Sequence, residues 1–309
     1  MRDKALFTVK RFLLVLITLI FLGILYFSYQ YSLFERIKFN IIAWRHANEW
    51  KDKSLWLNDY QIFIEGQPIK GIHKNLSGLC WNNDSKSLFA VVNHPEQVVE
   101  LTTAGKILRY INLIGINDPE SIEYLGNNKF IISDERSQKI VLVTIDKDTT
   151  QVTAEGAAQF TLGMGGVGNK GLEGITWDAS QKKIYAAKEK DPVHIYEVIG
   201  FPQAANSNMN LEVSNNSIRD QQLFLKDLSG LAFNEHYNHL LILSAESRLV
   251  VEIDKQGYPI SSLSLLIGHG LSQPIRQAEG LALDNEDNIY IVAEPNLFYV
   301  FKKKTATIQ

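Results

Sequence analysis

One short phrase recurs five times along this chain, and it constrains the fold more than any other feature. Its clearest copy is Gly171-Leu172-Glu173-Gly174-Ile175-Thr176-Trp177-Asp178. The others are Asn75-Leu76-Ser77-Gly78-Leu79-Cys80-Trp81, Pro119-Glu120-Ser121-Ile122-Glu123-Tyr124, Leu228-Ser229-Gly230-Leu231-Ala232-Phe233 and Ala278-Glu279-Gly280-Leu281-Ala282-Leu283-Asp284. With Gly78, Ser121, Gly174, Gly230 and Gly280 taken as equivalent, the spacings are 43, 53, 56 and 50 residues. Self-similarity at this period, in units made of short strands, marks a β-propeller.

Each repeat reads as strand, turn, strand, turn, strand, and in most cases one strand more. In the second copy Ser121–Leu125 leads through the turn Gly126-Asn127-Asn128 to Lys129–Ser133 and then Lys139–Ile145. Asparagine and glycine suit that turn because they tolerate positive φ. The third repeat carries an insertion, Pro202–Gln222, rich in Asn and Ser, which reads as a surface loop and a candidate partner-binding loop. The fifth repeat runs out after its third strand, and an open edge would invite aggregation. The alternating segment Tyr60-Gln61-Ile62-Phe63-Ile64 has no other partner, so we expect it to complete the fifth repeat and close the ring. The expectation is an all-β, five-bladed propeller over residues 57–304 with a short tail, 305–309. Six blades is the alternative, if residues 56–74 and the insertion hide a further unit.

Phe12 to Tyr29 carries no charged residue. As a helix it would be about 27 Å long, close to the hydrocarbon thickness of a bilayer. Lys4, Lys10 and Arg11 precede it, and Tyr26, Tyr29 and Tyr31 stand at its far end, where aromatic rings favour the interface. No small-x-small cleavage site follows, which favours an uncleaved anchor over a signal peptide. The positive-inside rule places residues 1–11 in the cytoplasm and the rest beyond the membrane, in the periplasm if the host is a bacterium. Residues 30–56 read as a juxtamembrane stalk, with an amphipathic helix on the outer leaflet as the alternative.

The net charge of −3 and the lack of a basic stripe exclude nucleic acid as a partner. A single cysteine, Cys80, permits no internal disulfide and reads as a buried, inert thiol. The glycine-rich run Gly163–Gly171 has no Ser or Thr in P-loop register and precedes a strand, so it is not a nucleotide loop. No nucleophile elbow occurs, and no catalytic residue stands out.

The chemistry lies in two register positions of the repeat. Before the motif glycine stand Glu120, Glu173 and Glu279 in three copies, with Ser77 and Ser229 in the others. Just beyond the second strand stand Glu135, Glu189, Glu246 and Glu294, with His94 in the first copy. First and second strands of a blade are antiparallel, so the start of one and the end of the next share one end of the ring. Seven glutamates are therefore expected at one mouth of the central channel. Like charges so placed raise one another's pKa unless a cation is bound. Hard oxygen donors without sulfur suit Ca²⁺ first, then another divalent cation such as Mg²⁺ or Mn²⁺. Arg136, Lys188, Lys190 and Arg248, with His94, are candidate contacts to a small anionic ligand; the alternative is that the basic residues balance the acidic rim.

The anchor, the Leu-Ser-Gly-Leu and Leu-Glu-Gly-Ile repeats, Ser133-Asp134-Glu135 and Ala278-Glu279-Gly280-Leu281 together resemble the SdiA-regulated bacterial β-propellers of the YjiK and CarP type, over roughly residues 57–302. The resemblance implies a membrane-anchored periplasmic propeller of the bacterial inner membrane, linked in some members to calcium homeostasis and to phytase activity. It carries no catalytic residues across. The expected function is a calcium-binding regulatory or ligand-binding module. A metal-dependent phosphoesterase and a protein-interaction scaffold are the alternatives.

Overall fold

The computed structural model describes residues 2–31, 33–163, 171–202 and 210–304. Five antiparallel blades form a ring. Blade 1 runs Leu76–Asn82, Ser87–Val92, Gln97–Leu101 and Ile107–Ile114 from the axis outward. Blades 2 to 5 begin with the inner strands Pro119–Gly126, Leu172–Asp178, Gly230–Asn234 and Ala278–Leu283. The ring closes as expected: Tyr60–Pro68 pairs with Leu297–Lys303, so the N-terminal strand is the outer strand of blade 5.

The insertion differs from its reading as a loop. Its segment Glu212–Asn215 pairs with His194–Ile199 as the fourth strand of blade 3, followed by the helical turn Ser217–Gln222. All four residues of that strand are exposed, so no alternation of apolar side chains announces it. Residues 203–209 of the insertion and 164–170 of the glycine-rich run lie outside the described residues, as does the tail 305–309. Among the described residues the count is five blades, not six. A second unannounced strand, Gln151–Thr153, joins the outer edge of blade 1 in parallel.

The repeated glycine has a steric cause. The inner strands crowd round a narrow axis, and a Cβ on Gly78 would stand 2.5 Å from the Cα of Ser121 in the next blade. One on Gly280 would stand 2.9 Å from Gly78, and one on Gly174 3.0 Å from the backbone of Leu231. Where blade 2 has Ser121 instead, its hydroxyl accepts from the Ile175 N–H at 3.0 Å and so ties blade 2 to blade 3. Apolar side chains from facing blades fill the spaces between sheets, as with Phe89 and Phe130, whose ring centroids are 4.7 Å apart. Cys80 is buried in that same layer.

Three helices precede the ring. Helix α1 (Arg2–Gln30) contains one stretch long and apolar enough to cross a membrane, Lys10–Gln30, with mean hydropathy 2.5. Helices α2 (Leu33–Arg45) and α3 (Ala47–Trp50) follow. Helix α2 lies on the outside of blade 4, where Phe39 packs at 5.4 Å on Phe224 and Ala43 is buried. Buried Glu252 then clasps the chain: it accepts from the N–H groups of Leu55 and Trp56 at 2.9 and 3.2 Å, and from the Ser261 hydroxyl at 2.6 Å.

Candidate functional site

Antiparallel pairing brings the start of each inner strand beside the end of the second strand, and the predicted glutamates meet at one mouth of the channel. Glu120, Glu173, Glu189, Glu246, Glu279 and Glu294 all line one cavity of about 580 Å³. Glu135 stands beside them, its carboxylate accepting from the Gly171 N–H at 3.0 Å.

Two further carboxylates belong to the same mouth. Asp118 approaches Glu120 and Glu135 so closely that one oxygen from each lies within 4.8 Å of the others. Asp227 lines the cavity and accepts from the Glu246 N–H at 3.1 Å and from the Ser244 hydroxyl. Both aspartates stand two residues before the glutamate or serine at the start of an inner strand. In blade 4, where Ser229 replaces glutamate, Asp227 restores the missing charge. Blade 1 has neither. There Ser77 donates to Glu120 at 2.7 Å and Asn93 donates to its other oxygen, so the blade 2 carboxylate leans into an uncharged sector.

The crowding is visible in the proton affinities. Burial pushes Glu120 up to about 8, reinforced by Glu135, Asp118 and Glu279 and opposed by the Ser77 hydrogen bond. Burial raises Glu173 well above the usual carboxylate range, with Glu120, Glu135, Glu189 and Glu279 adding to it. Glu279 rises to about 7 through burial and the charges of Glu294, Asp227 and Glu189. Glu135 and Asp227 are raised too, by burial first and then by neighbouring acids.

The basic residues divide. Lys190 bridges Glu189 at 2.6 Å and Glu246 at 3.1 Å, and so neutralises one sector of the rim. Lys188 is buried and donates to the backbone oxygen of Asp191 at 3.1 Å. Arg136 is exposed, 3.6 Å from Asp118, and His94 stands out into solvent 4.0 Å from Glu96. Arg248 lines the cavity together with Lys226 and Arg276, which the repeat pattern does not single out because both lie on connecting loops. The basic side chains named from the sequence thus do not converge on one point.

At the opposite mouth a cavity of about 460 Å³ is walled by Trp81, Tyr124, Trp177 and Phe233. Glu123 stands there, pushed up to about 8 by burial, with Thr176 donating to it.

Among solved structures the chain is similar to the nidogen–laminin complex, with 14% identity over 72% of this chain and 73% of that one, TM-score 0.45. It is similar also to a luciferin-regenerating enzyme, with 13% identity over 80% of this chain and 96% of that one, TM-score 0.49. A third is a catalytically inactive virginiamycin B lyase from Staphylococcus aureus with quinupristin, with 13% identity over 74% and 66%, TM-score 0.40. The model of the SdiA-regulated family matches residues 52–302, which span the whole ring from the approach to its closing strand to the end of blade 5. This chain belongs to the SdiA-regulated family.

Proposed function

We propose that this protein is a single-pass membrane protein whose propeller, held in the periplasm, binds a divalent cation at the acidic mouth of its channel, with calcium first in order. The role is regulatory or ligand-binding, in keeping with the calcium homeostasis that the family resemblance implies. One observation carries the reading: Asp118, Glu120 and Glu135 each offer an oxygen within 4.8 Å of the others. Two oxygens bound to one calcium at 2.3–2.6 Å lie at most about 5 Å apart, so these donors fit a single ion. The donor set is all oxygen, as calcium prefers. Glu173 and Glu279 stand near enough to raise the proton affinity of the group or be raised by it. A cation would relieve a repulsion that otherwise has to be met by holding protons.

The test is calorimetric titration of the chelator-stripped full chain with calcium, beside Glu120→Gln and Glu135→Gln. The reading expects saturable binding that falls at least about tenfold in either variant, the effect of losing about 1.4 kcal/mol or more. Binding unchanged in both variants would refute it.

A phosphoesterase reading draws on a different observation, the three cations Lys226, Arg248 and Arg276 in the same cavity. Calcium-dependent release of phosphate from a simple ester, lost in Arg248→Ala, would bring it to the front.

A further inference from the structure

The mouth opposite the glutamates is built by the same repeat. Two residues beyond the motif position stand Cys80, Glu123, Thr176, Ala232 and Ala282, one from each blade, and all five line the cavity of about 460 Å³. Four of them are small and leave room; the fifth is a carboxyl. Three residues beyond the motif position stand Trp81, Tyr124, Trp177, Phe233 and Leu283, which line it too. Trp81, Trp177 and Phe233 are only half-buried, so each leaves part of its surface to the cavity. The first hairpin of each blade then contributes to the rim, which carries Asp84, Glu235, Asp284 and Asp287.

Glu123 is the charged group of the inner tier. It accepts from the Tyr124 N–H at 2.9 Å and from the Thr176 hydroxyl, while burial pushes it up to about 8. Among the described residues no lysine or arginine lines this cavity, and His236 is the sole imidazole in its wall. The acidic mouth, by contrast, carries Lys226, Arg248 and Arg276 among its acids. Asp284 is taken up by its own turn, accepting from the Asn288 N–H at 2.9 Å and the Tyr290 hydroxyl at 2.7 Å. Glu235 is exposed at the rim and near enough to raise the proton affinity of Glu123. The π faces of aromatic rings attract cations. This belt already takes one, since Lys255 stands 5.0 Å from the ring centre of Phe233. The end of α1 stands at the acidic mouth, where Gln30 is part of the wall and its backbone oxygen accepts from Lys226. No described residue of α1, α2 or α3 lines the aromatic mouth.

We propose that this second mouth binds a small organic cation of the quaternary ammonium type, with its charged head between the aromatic belt and Glu123. The proposal is independent of the calcium reading. The chemistry selects the class. A calcium ion takes about six or more oxygen ligands, and the inner tier offers one carboxylate. A neutral molecule of the same shape gains the apolar contacts and leaves the acids unbalanced. A quaternary ammonium ion has no N–H to satisfy, which suits Glu123, whose carboxyl already accepts from Thr176 and Tyr124. Its bulk and weak hydration favour aromatic faces over water.

The experiment is calorimetric titration of the full chain, in an uncharged detergent and physiological salt. The ligands are choline and its uncharged carbon counterpart, 3,3-dimethylbutan-1-ol. Choline is expected to bind saturably and at least about tenfold tighter than the alcohol. Glu123→Gln keeps the shape and removes the charge; it is expected to weaken choline at least about tenfold and to leave the alcohol unchanged. Trp177→Leu is expected to weaken choline severalfold, and a melting curve of each variant shows that it is folded. No saturable binding of choline overturns the proposal, as does equal affinity for choline and the alcohol. Choline binding unchanged in folded Glu123→Gln also overturns it, and would place the cation among the glutamates of the other mouth.

Discussion

Gly78 and Gly280 show what a single atom costs at the axis of the ring. A methyl on either would come within 3 Å of the neighbouring blade's backbone, whereas at Gly230 its nearest contacts are side-chain atoms at 3.3 Å or more. We expect Gly78→Ala and Gly280→Ala to destabilise the fold by about 1–3 kcal/mol, the usual cost of overpacking, and Gly230→Ala by clearly less. Denaturant midpoints of the three variants check the order; equal midpoints would contradict the steric account of the repeat. The glutamates were legible because they recur in register, three before the motif residue and four after the second strand. Asp118 and Asp227 were not, although they share a register two residues before the inner-strand Glu or Ser. Asn75, Gly171 and Gln277 fill that position in the other blades, so its acidity is broken by the very residues that vary. Lys226 and Arg276 lie on connecting loops, and only the three-dimensional packing shows that they face the acids.

The antiparallel strands of blades 1, 2, 4 and 5 could be read from alternation and turn chemistry, unlike the parallel edge strand Gln151–Thr153. Asn127 and Asn128 do take positive φ, 52° and 59°, as the turn between the first two strands of blade 2 requires. The closing strand could be read because blade 5 lacked a partner for Leu297–Lys303. The strand Glu212–Asn215 was hidden because an edge strand with both faces wet carries no periodic signal. Removing residues 57–70 takes away that closing strand together with buried Leu57, Tyr60 and Ile69. We expect the melting temperature to fall by at least about 10 °C, since several kcal/mol at a few degrees each are lost; an unchanged melt would mean that the ring closes elsewhere. Glu252 is the second fastening. Glu252→Ala would strand the Leu55 and Trp56 N–H groups and is expected to cost about 2–4 kcal/mol, read by chemical denaturation. A cost under about 0.5 kcal/mol would show that α2 and α3 are held by packing alone.

Taken whole, the molecule is a ring with one charged mouth joined to the end of an apolar helix. The proposed orientation, with the N-terminus in the cytoplasm, predicts that a reporter active only in the periplasm, fused after Lys304, gives signal; activity of a cytoplasm-only reporter at the same place would reverse it. The acidic mouth makes a prediction about the entire fold. Glu120 and Glu279 hold their protons to about 8 and about 7, against 4.5 for the ordinary side chain. Between those values the folded state binds more protons than the unfolded one, so stability falls as pH rises from about 4.5 through about 8. Glu173, also raised, acts in the same direction. A cation bound only by the folded ring offsets that loss, by about 2.7 kcal/mol at a hundredfold excess over Kd. The most direct measurement is therefore the thermal melt of the chelator-stripped chain at about pH 5 and about pH 8.5, with and without calcium, beside the double variant Glu120→Gln with Glu135→Gln. The expected result is a lower melt at the higher pH, recovered by calcium at that pH and hardly changed by it at the lower one, with the double variant melting higher without calcium and gaining little from it. A melt that neither calcium nor any other divalent ion moves at either pH would contradict the account, leaving the glutamates as a solvated rim.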